Sequence, residues 1–283
     1  MSTTERPADW DLGGEIVLGS ALFTLVDPHK GHEVAYNRWY ERDHFYAGCM
    51  NGPWFFAGRR WVCTRDLKDV RLGSPEPLFG DDRAGSYLSI YWTPEGRFRD
   101  MVDWSTRQVR WLHANGRMFA ERDHVHTLLY LYQGAVERDP DGVPPELALD
   151  HPFRSLGVLV VEPAEDGGTD GDGGDGGDAG GGNDRRTDRA ARPVLPPDGP
   201  VALVLSFRGV PLPDDAPVEQ PGTEGADRRE LQLWFAQDEP GTWWASVGDY
   251  ADSLAESGEA RVRWASPFIP TVPGTDLYTD QLW

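Results

Sequence analysis

The stretch HVHTLLYLYQGAVE, His124 to Glu137, is rich in apolar, aromatic and β-branched residues, and this composition predicts a strand. The same kinds of pattern predict five earlier elements: a strand at 15–26, a helix at 30–50, strands at 54–64 and 86–93, and a helix at 98–115. The order is therefore β-α-β-β-α-β, with the strand at 124–137 as its last member. This order is typical of a ferredoxin-like unit, in which two helices cover one face of a four-stranded antiparallel sheet.

The second half of the chain repeats most of this pattern. Its four predicted strands lie at 156–163, 201–207, 230–237 and 260–268, and a helical pattern at 242–258 precedes the last of them. A tract rich in Gly and Asp, at about 164–194, stands where the first helix of the repeat would lie. It has too few apolar residues to offset the entropy of ordering it, so we predict a disordered insertion there. We thus expect an N-terminal arm at 1–14, a first unit at 15–150 and a degenerate second unit at 151–283.

The composition excludes several classes of protein. The net charge is −20, from 47 Asp and Glu against 27 Lys and Arg, and it repels nucleic acids and anionic lipid surfaces. No stretch has the length and apolarity of a signal peptide or a membrane span, and two cysteines make no disulfide scaffold. We expect a cytoplasmic protein with neither nucleic acid nor membrane as partner. Its frequent Arg, Gly and Pro residues are typical of a GC-rich, bacterial genome.

The predicted first helix contains the stretch YNRWYERDHF, residues 36–45. Helical spacing places Tyr36, Tyr40 and His44 on one stripe, at i, i+4 and i+8. An imidazole with an ordinary pKa near ~6.5 is well suited to moving a proton at neutral pH, so His44 is the candidate acid/base. The alternative is a structural histidine that bonds a backbone carbonyl at the helix end.

Three neighbours of His44 are candidate catalytic residues with it. Tyr40 and Asn37 would orient the substrate or hold a developing enolate oxygen, and Asp43 would tune the imidazole. No phosphate-binding loop, nucleophile elbow or dinucleotide fingerprint occurs in the sequence, so kinase, hydrolase and nicotinamide-dependent functions have no support.

The segment NRWYERDH resembles the first-helix signature of EthD-like proteins in the dimeric α+β barrel superfamily, and the motif falls on Asn37, Trp39, Tyr40 and His44. The resemblance covers 15–137; over the second unit it rests on strand order. It implies an α+β fold in which two fused ferredoxin-like units pack their antiparallel sheets as a barrel. It also implies a hydrophobic cavity between each sheet and its helices, and either a monomer with an intrachain barrel or a homodimer.

A dense set of aromatic residues could line such a cavity and bind a flat apolar ligand. The candidate substrate-binding residues are Tyr36, Trp39, Trp54, Phe56, Tyr91, Trp104 and Tyr130. The alternative is that they belong to the core, which is the usual place of aromatic residues on alternating strand positions.

We predict no metal and no cofactor. His124 and His126 would share one face of a strand and form a weak alternative metal site, but the sequence fixes no third ligand. The Gly and Asp tract lacks the periodic apolar residue of calcium-binding β-rolls.

The resemblance and the residues together favour a cofactor-independent acid/base enzyme that acts on a hydrophobic, aromatic or polycyclic small molecule. Relatives in this superfamily include dehydratases, isomerases and cyclases, so a lyase or isomerase is the expected class. One alternative is a non-catalytic protein that binds a hydrophobic ligand in the same cavity. Another is a haem-binding protein.

Overall fold

The computed structural model describes residues 15–164, 192–211, 223 and 225–283. The predicted arm at 1–14 lies outside these ranges, and so does the predicted insertion except for residues 164 and 192–194. Within the described ranges, nine strands form one sheet in which every paired strand is antiparallel to its neighbour.

The first unit has the predicted β-α-β-β-α-β order, with one short helix and one short strand added between its second and third long strands. Its elements are β1 (Leu18–Pro28), α1 (Glu33–Trp39), a π-helix that continues α1 (Tyr40–Met50), β2 (Ala57–Val62), α2 (Arg65–Lys68), β3 (Leu72–Gly73), β4 (Tyr87–Pro94), α3 (Phe98–Ala114) and β5 (Arg122–Glu137). The four long strands lie in the order β2-β4-β1-β5.

The second unit places its four strands in the same relative order. Its elements are β6 (Ser155–Pro163), β7 (Val201–Val210), β8 (Glu230–Ala236), α4 (Ala245–Ser257) and β9 (Ala260–Pro270), with short 3₁₀ turns at Pro145–Leu147, Ala226–Arg228 and Pro240–Thr242. The sheet order β7-β8-β6-β9 reproduces, strand for strand, the order of the first unit.

Two seams join the units into a closed barrel. At one seam β5 pairs with β7 along eight residue pairs, from Leu129 opposite Val210 to Glu137 opposite Leu203. At the other seam β2 pairs with β9 through two residue pairs, Trp61 with Pro270 and Val62 with Ile269. The fold is therefore an α+β protein with an eight-stranded antiparallel barrel made of two ferredoxin-like units, which confirms the predicted fold class.

The side chains of β1 alternate between two buried environments. Phe23 and Leu25 point into the barrel, where the core also contains Phe207 and Phe235 of the second unit. Leu22 points the other way and packs under the helices. Because both faces are covered, the strand reads as a nearly continuous apolar run. The outer face of the first sheet is thus where a cavity can form between sheet and helices.

The chain after β9 forms an arm along α1. The Asn37 amide donates to the backbone carbonyl of Thr275 at 2.9 Å, and the Trp283 indole donates to Glu33 at 2.6 Å. Leu282 is buried with Tyr36 and Tyr40. The arm therefore holds the helix that leads to His44. In the described parts of the chain, no helix is both long and apolar enough to cross a membrane.

Candidate functional site

A cavity of about 120 Å³ lies between the outer face of the first sheet and the helices that cover it. β1, β4 and β5 supply one wall, and the π-helix and α3 supply the other. The lining side chains are mostly apolar or uncharged: Leu22, Thr24, Val26, Tyr40, His44, Gly48, Cys49, Tyr91, Met101, Val102, Ser105, Thr106, Val109, Met118, Arg122, His124, Thr127 and Leu129.

His44 is held in the cavity wall by two aromatic rings and one glycine. Its imidazole stacks on Trp39 at a centroid distance of 4.6 Å and meets Tyr40 edge-on at 5.2 Å. A Cβ at Gly48 would lie 2.9 Å from Cε1 of His44, so the missing side chain at position 48 gives the ring its room. Position 48 follows His44 by four residues on the π-helix, which places both on one face.

The imidazole of His44 is neutral at physiological pH. Burial, then the charge of Arg122, then His124 lower the pKa of His44 to about 3. Its Nδ1 is enclosed and has no hydrogen-bond partner among the described residues. A ligand in the cavity can therefore reach the imidazole only through Nε2.

Two phenols stand beside His44. The hydroxyls of Tyr40 and Tyr91 form a 2.9 Å hydrogen bond. Burial, followed by the effect of Cys49, raises the pKa of Tyr40 to about 12, and burial raises the pKa of Tyr91 well above its usual value. Both groups stay protonated and can act as hydrogen-bond donors.

A chain of hydrogen bonds runs along the β5 side of the cavity. Arg122 Nε donates to His124 Nε2 at 3.3 Å, His124 Nδ1 lies 2.8 Å from Thr127 Oγ1, and Thr127 Oγ1 lies 2.9 Å from Thr24 Oγ1. Burial and then Arg122 lower the pKa of His124 to about 4, so this imidazole is also neutral at physiological pH. Because Arg122 can only donate, His124 Nε2 accepts and its proton is on Nδ1.

The two histidines of the HVH motif do not share a face, contrary to the prediction. A β-bulge at Val125 shifts the register of β5 against β1, so that His124 faces the cavity while His126 faces the barrel interior. There His126 Nε2 bonds the Tyr130 hydroxyl at 2.6 Å and packs against Phe79. A bulge adds one residue to a strand and reverses the alternation beyond it. Across the described ranges, no three His, Cys, Asp or Glu side chains are placed to hold a metal ion.

Asp43 and Asn37 do not line the cavity. Asp43 forms an ion pair with Arg117, and its effect on the pKa of His44 is upward but smaller than those of burial, Arg122 and His124. Asn37 is buried, and its side-chain oxygen accepts from Arg60 at 2.9 Å while its amide holds the C-terminal arm. The geometry favours a structural role for Asn37, because Arg60 and the backbone of Thr275 already use both ends of its amide.

One of the seven aromatic residues predicted to bind substrate, Tyr91, lines the cavity. Trp39 does not line the cavity but stacks on His44, which does. The other five do not line the cavity. Tyr36 packs with Tyr87 in a core cluster, Trp54 lies under Arg97, and Trp104 packs against Phe55. Phe56 packs against the barrel core, and Tyr130 lies inside the barrel. Their density in the sequence reflects core packing on both sides of the sheet.

Sequence reasoning missed five polar residues of the cavity: Thr24, Ser105, Thr106, Arg122 and Thr127. Thr24 is a polar residue within an apolar strand, and Ser105 lies on the apolar stripe of α3, four residues after Met101. The Ser105 hydroxyl is enclosed, and no described residue forms a hydrogen bond with it. A polar residue on an otherwise apolar face could have indicated that these two positions line a cavity. Nothing in the local sequence distinguishes Arg122 or Thr127 from ordinary residues of a strand.

Comparison with known proteins yields only distant similarities in structure. No family model matches the chain and no curated protein is similar to it, so the EthD-like resemblance stays a prediction. A protein assigned as a chlorite dismutase has a TM-score of 0.47 at 10% identity and covers 94% of this chain and 100% of its own. An anthrone oxidase-like protein has a TM-score of 0.42 at 9% identity, over 93% and 98% of the two chains. A DypB variant from Rhodococcus jostii in complex with heme has a TM-score of 0.45 at 10% identity, over 93% and 94%. Similarities this low carry no argument about the function of this chain.

Proposed function

We propose that the first unit is a cofactor-independent acid/base enzyme of the lyase or isomerase class, and that it acts on a hydrophobic, aromatic small molecule in the cavity beside His44. The observation that carries this proposal is a neutral imidazole at the wall of a mainly apolar cavity. Its Nδ1 is enclosed, so that only Nε2 can meet a ligand.

The reaction would begin with transfer of a proton from a carbon next to a carbonyl to Nε2 of His44. The electron pair of the C–H bond moves toward the carbonyl, whose oxygen becomes an enolate oxygen. A hydroxyl of the Tyr40 and Tyr91 pair is a protonated donor near that position and would stabilise the negative charge. The proton then returns to another carbon or to a leaving group, which gives isomerisation or elimination.

The low pKa of His44 sets a condition on this chemistry. A pKa of about 3 means that the empty cavity disfavours the imidazolium form, chiefly through burial. Proton transfer to His44 therefore requires a negative charge that develops next to it. An enolate formed in the cavity supplies this charge, so the imidazolium and the enolate stabilise each other.

The same low pKa favours a second candidate function, a protein that binds a hydrophobic ligand without changing it. General bases work best when their pKa is near the working pH, and the pKa of His44 in the empty cavity is far below neutrality. A binding protein would return its ligand unchanged.

Haem binding has less support from the site. A histidine that ligates a metal usually donates its other ring N–H to a carboxylate, a carbonyl or a water, and Nδ1 of His44 has no such partner. A Soret band in the purified protein would establish haem binding against this expectation.

Deuterium exchange tests the enzymatic proposal without knowledge of the natural substrate. Phenylpyruvate and 2-tetralone are hydrophobic carbonyl compounds with exchangeable C–H protons, and their exchange in D₂O can be followed by NMR. We expect the wild-type protein to accelerate exchange of at least one of them, and His44→Gln to lower that rate by ~10² to 10⁴. The matched control is His113→Gln, at the exposed end of α3, which should keep the wild-type rate. A wild-type rate no higher than that of His44→Gln, for both compounds, would overturn the proposal.

A further inference from the structure

We infer that the ligand of this cavity is a hydrophobic monoanion, whose anionic oxygen is held by Arg122 and by a hydroxyl of the Thr24 and Thr127 pair. The inference rests on the proposed function in using the same cavity, and it names the class of ligand that the cavity takes.

Arg122 is a cation in the cavity wall whose partners are all neutral. Its guanidinium donates to the backbone carbonyl of Phe119 and to His124 Nε2, and it lies 5.0 Å from the ring centroid of Trp39. Among the ion pairs between described residues, none involves Arg122, whereas Arg38, Arg60 and Arg117 of the same unit each have an acidic partner. Arg117, five positions earlier, pairs with Asp43.

Burial lowers the pKa of Arg122, and the remaining influences on it come from the phenols of Tyr36 and Tyr40 rather than from a carboxylate. A partly desolvated charge without a counter-charge is unfavourable, so an anion that enters the cavity would gain an interaction that no described acidic residue supplies.

The hydrogen-bond chain leaves one donor for such an anion. His124 donates from Nδ1 to Thr127 Oγ1, since its Nε2 accepts from Arg122. The two threonine hydroxyls carry two hydrogens, and the bond between their oxygens uses one of them. Whichever threonine donates in that bond, the hydroxyl hydrogen of the other remains, and both residues line the cavity.

Within the described ranges, the cavity wall has no negative charge that would oppose an anion. None of its lining residues is Asp or Glu, its two imidazoles are neutral, and its two phenols are protonated. Its apolar residues, which include Leu22, Met101 and Leu129, favour a hydrophobic body on the same ligand.

The single guanidinium and the charge of the whole protein restrict the ligand to one negative charge. The chain has a net charge of −20, so dianions and polyanions are repelled outside the cavity. A hydrophobic carboxylate fits these conditions.

Pairs of compounds that differ in charge but not in shape test the inference. Benzoate, phenylacetate and 2-naphthoate can be compared with their amides by calorimetric titration of the full-length protein at neutral pH. We expect at least one acid to bind saturably and at least ~10-fold more tightly than its amide, as a charged hydrogen bond to Arg122 implies. Equal affinities within all three pairs, or no saturable binding by any acid, would overturn the inference.

Variants locate the preference within the protein. Arg122→Gln should reduce the preference for the acid to about threefold or less, while Arg117→Gln, the matched surface control, should keep it. His44→Gln should also keep it, because the imidazole carries no charge in the free protein. Survival of the preference in Arg122→Gln contradicts the inference. If Arg122→Gln does not fold, as judged by circular dichroism, the comparison of acids with amides on the wild type decides alone.

The two proposals fail in different ways. If His44 moves no proton, deuterium exchange is absent but the preference for the acids persists. If Arg122 does not bind the anion, the acids lose their advantage and exchange of 2-tetralone, which is uncharged, is unaffected.

Discussion

The backbone of Gly48 lies against the imidazole of His44, and a Cβ at position 48 would stand 2.9 Å from Cε1 and 3.1 Å from Nδ1. The imidazole also stacks on Trp39 at a centroid distance of 4.6 Å, so the ring has little freedom to move away. The position of His44 therefore depends on the absence of a side chain one π-helical turn later.

Gly48→Ala should displace His44 and lower the deuterium exchange rate by about tenfold or more, with little change in the circular dichroism spectrum. Gly248→Ala is the matched control, because Gly248 also lies in a helix but a Cβ there meets nothing within 4 Å. The control should keep its exchange rate and gain about 0.5–1 kcal/mol of unfolding free energy. An unchanged rate in Gly48→Ala would show that the position of His44 is not critical.

Stability should fall as the pH is lowered from about 6.5 toward 4. The pKa of His44 is lowered to about 3 and that of His124 to about 4, while both are near ~6.5 in an unfolded chain. The unfolded chain then binds more protons between these values, so the stability present above pH ~6.5 is lost on acidification. Urea unfolding at pH 7, 6 and 5 measures this loss.

The variants His44→Gln and His124→Gln should each reduce the dependence of the unfolding free energy on pH in this range. A slope that is the same in both variants as in the wild type would mean that neither imidazole is held neutral by the fold.

Because Tyr40 and Tyr91 form a hydrogen bond with each other, we expect each single Tyr→Phe variant to be less stable than the double variant. Tyr40→Phe leaves the buried Tyr91 hydroxyl without this partner, and we expect a loss of about 1–3 kcal/mol in unfolding free energy. Replacing both tyrosines by Phe removes both polar groups and should be closer to the wild type in stability. A double-mutant cycle by urea unfolding measures the coupling. Additive effects would contradict the prediction.

Asn37 is expected to affect stability but not chemistry. Asn37→Ala removes the acceptor for Arg60 and the donor to the carbonyl of Thr275, both at 2.9 Å and both away from the cavity. We expect a loss of about 1–3 kcal/mol in unfolding free energy, because buried polar partners lose their bonds. The exchange rate per folded molecule should stay within about twofold of the wild type. A loss of rate as large as that of His44→Gln would restore Asn37 to the catalytic set.

The strands and the main helices could be predicted from the sequence because each follows from local composition. The first unit has the predicted order of elements. Its long strands and main helices, and the four strands of the second unit, lie within a few residues of their predicted bounds. His44, Tyr40 and Tyr91 were also found, since helical spacing and strand alternation place them on the faces that meet.

The rest of the site depends on local irregularities that composition does not reveal. The bulge at Val125 separates His124 from His126, and the π-helix brings Gly48 under the imidazole of His44. Arg122 stands out because none of the ion pairs between described residues involves it. Contacts between distant segments decide this, and a single sequence does not show them.

The two seams of the barrel differ in length, and this difference bears on how the protein unfolds. The seam between β2 and β9 has two residue pairs, but the chain after β9 extends it, since Thr271 donates its backbone N–H to the carbonyl of Arg60 and Arg65 donates to that of Gln281. A segment of the second unit thus fastens the helix and strand of the first. Although the sequence contains two repeated units, we expect them to unfold together, in a single cooperative transition on heating or in denaturant.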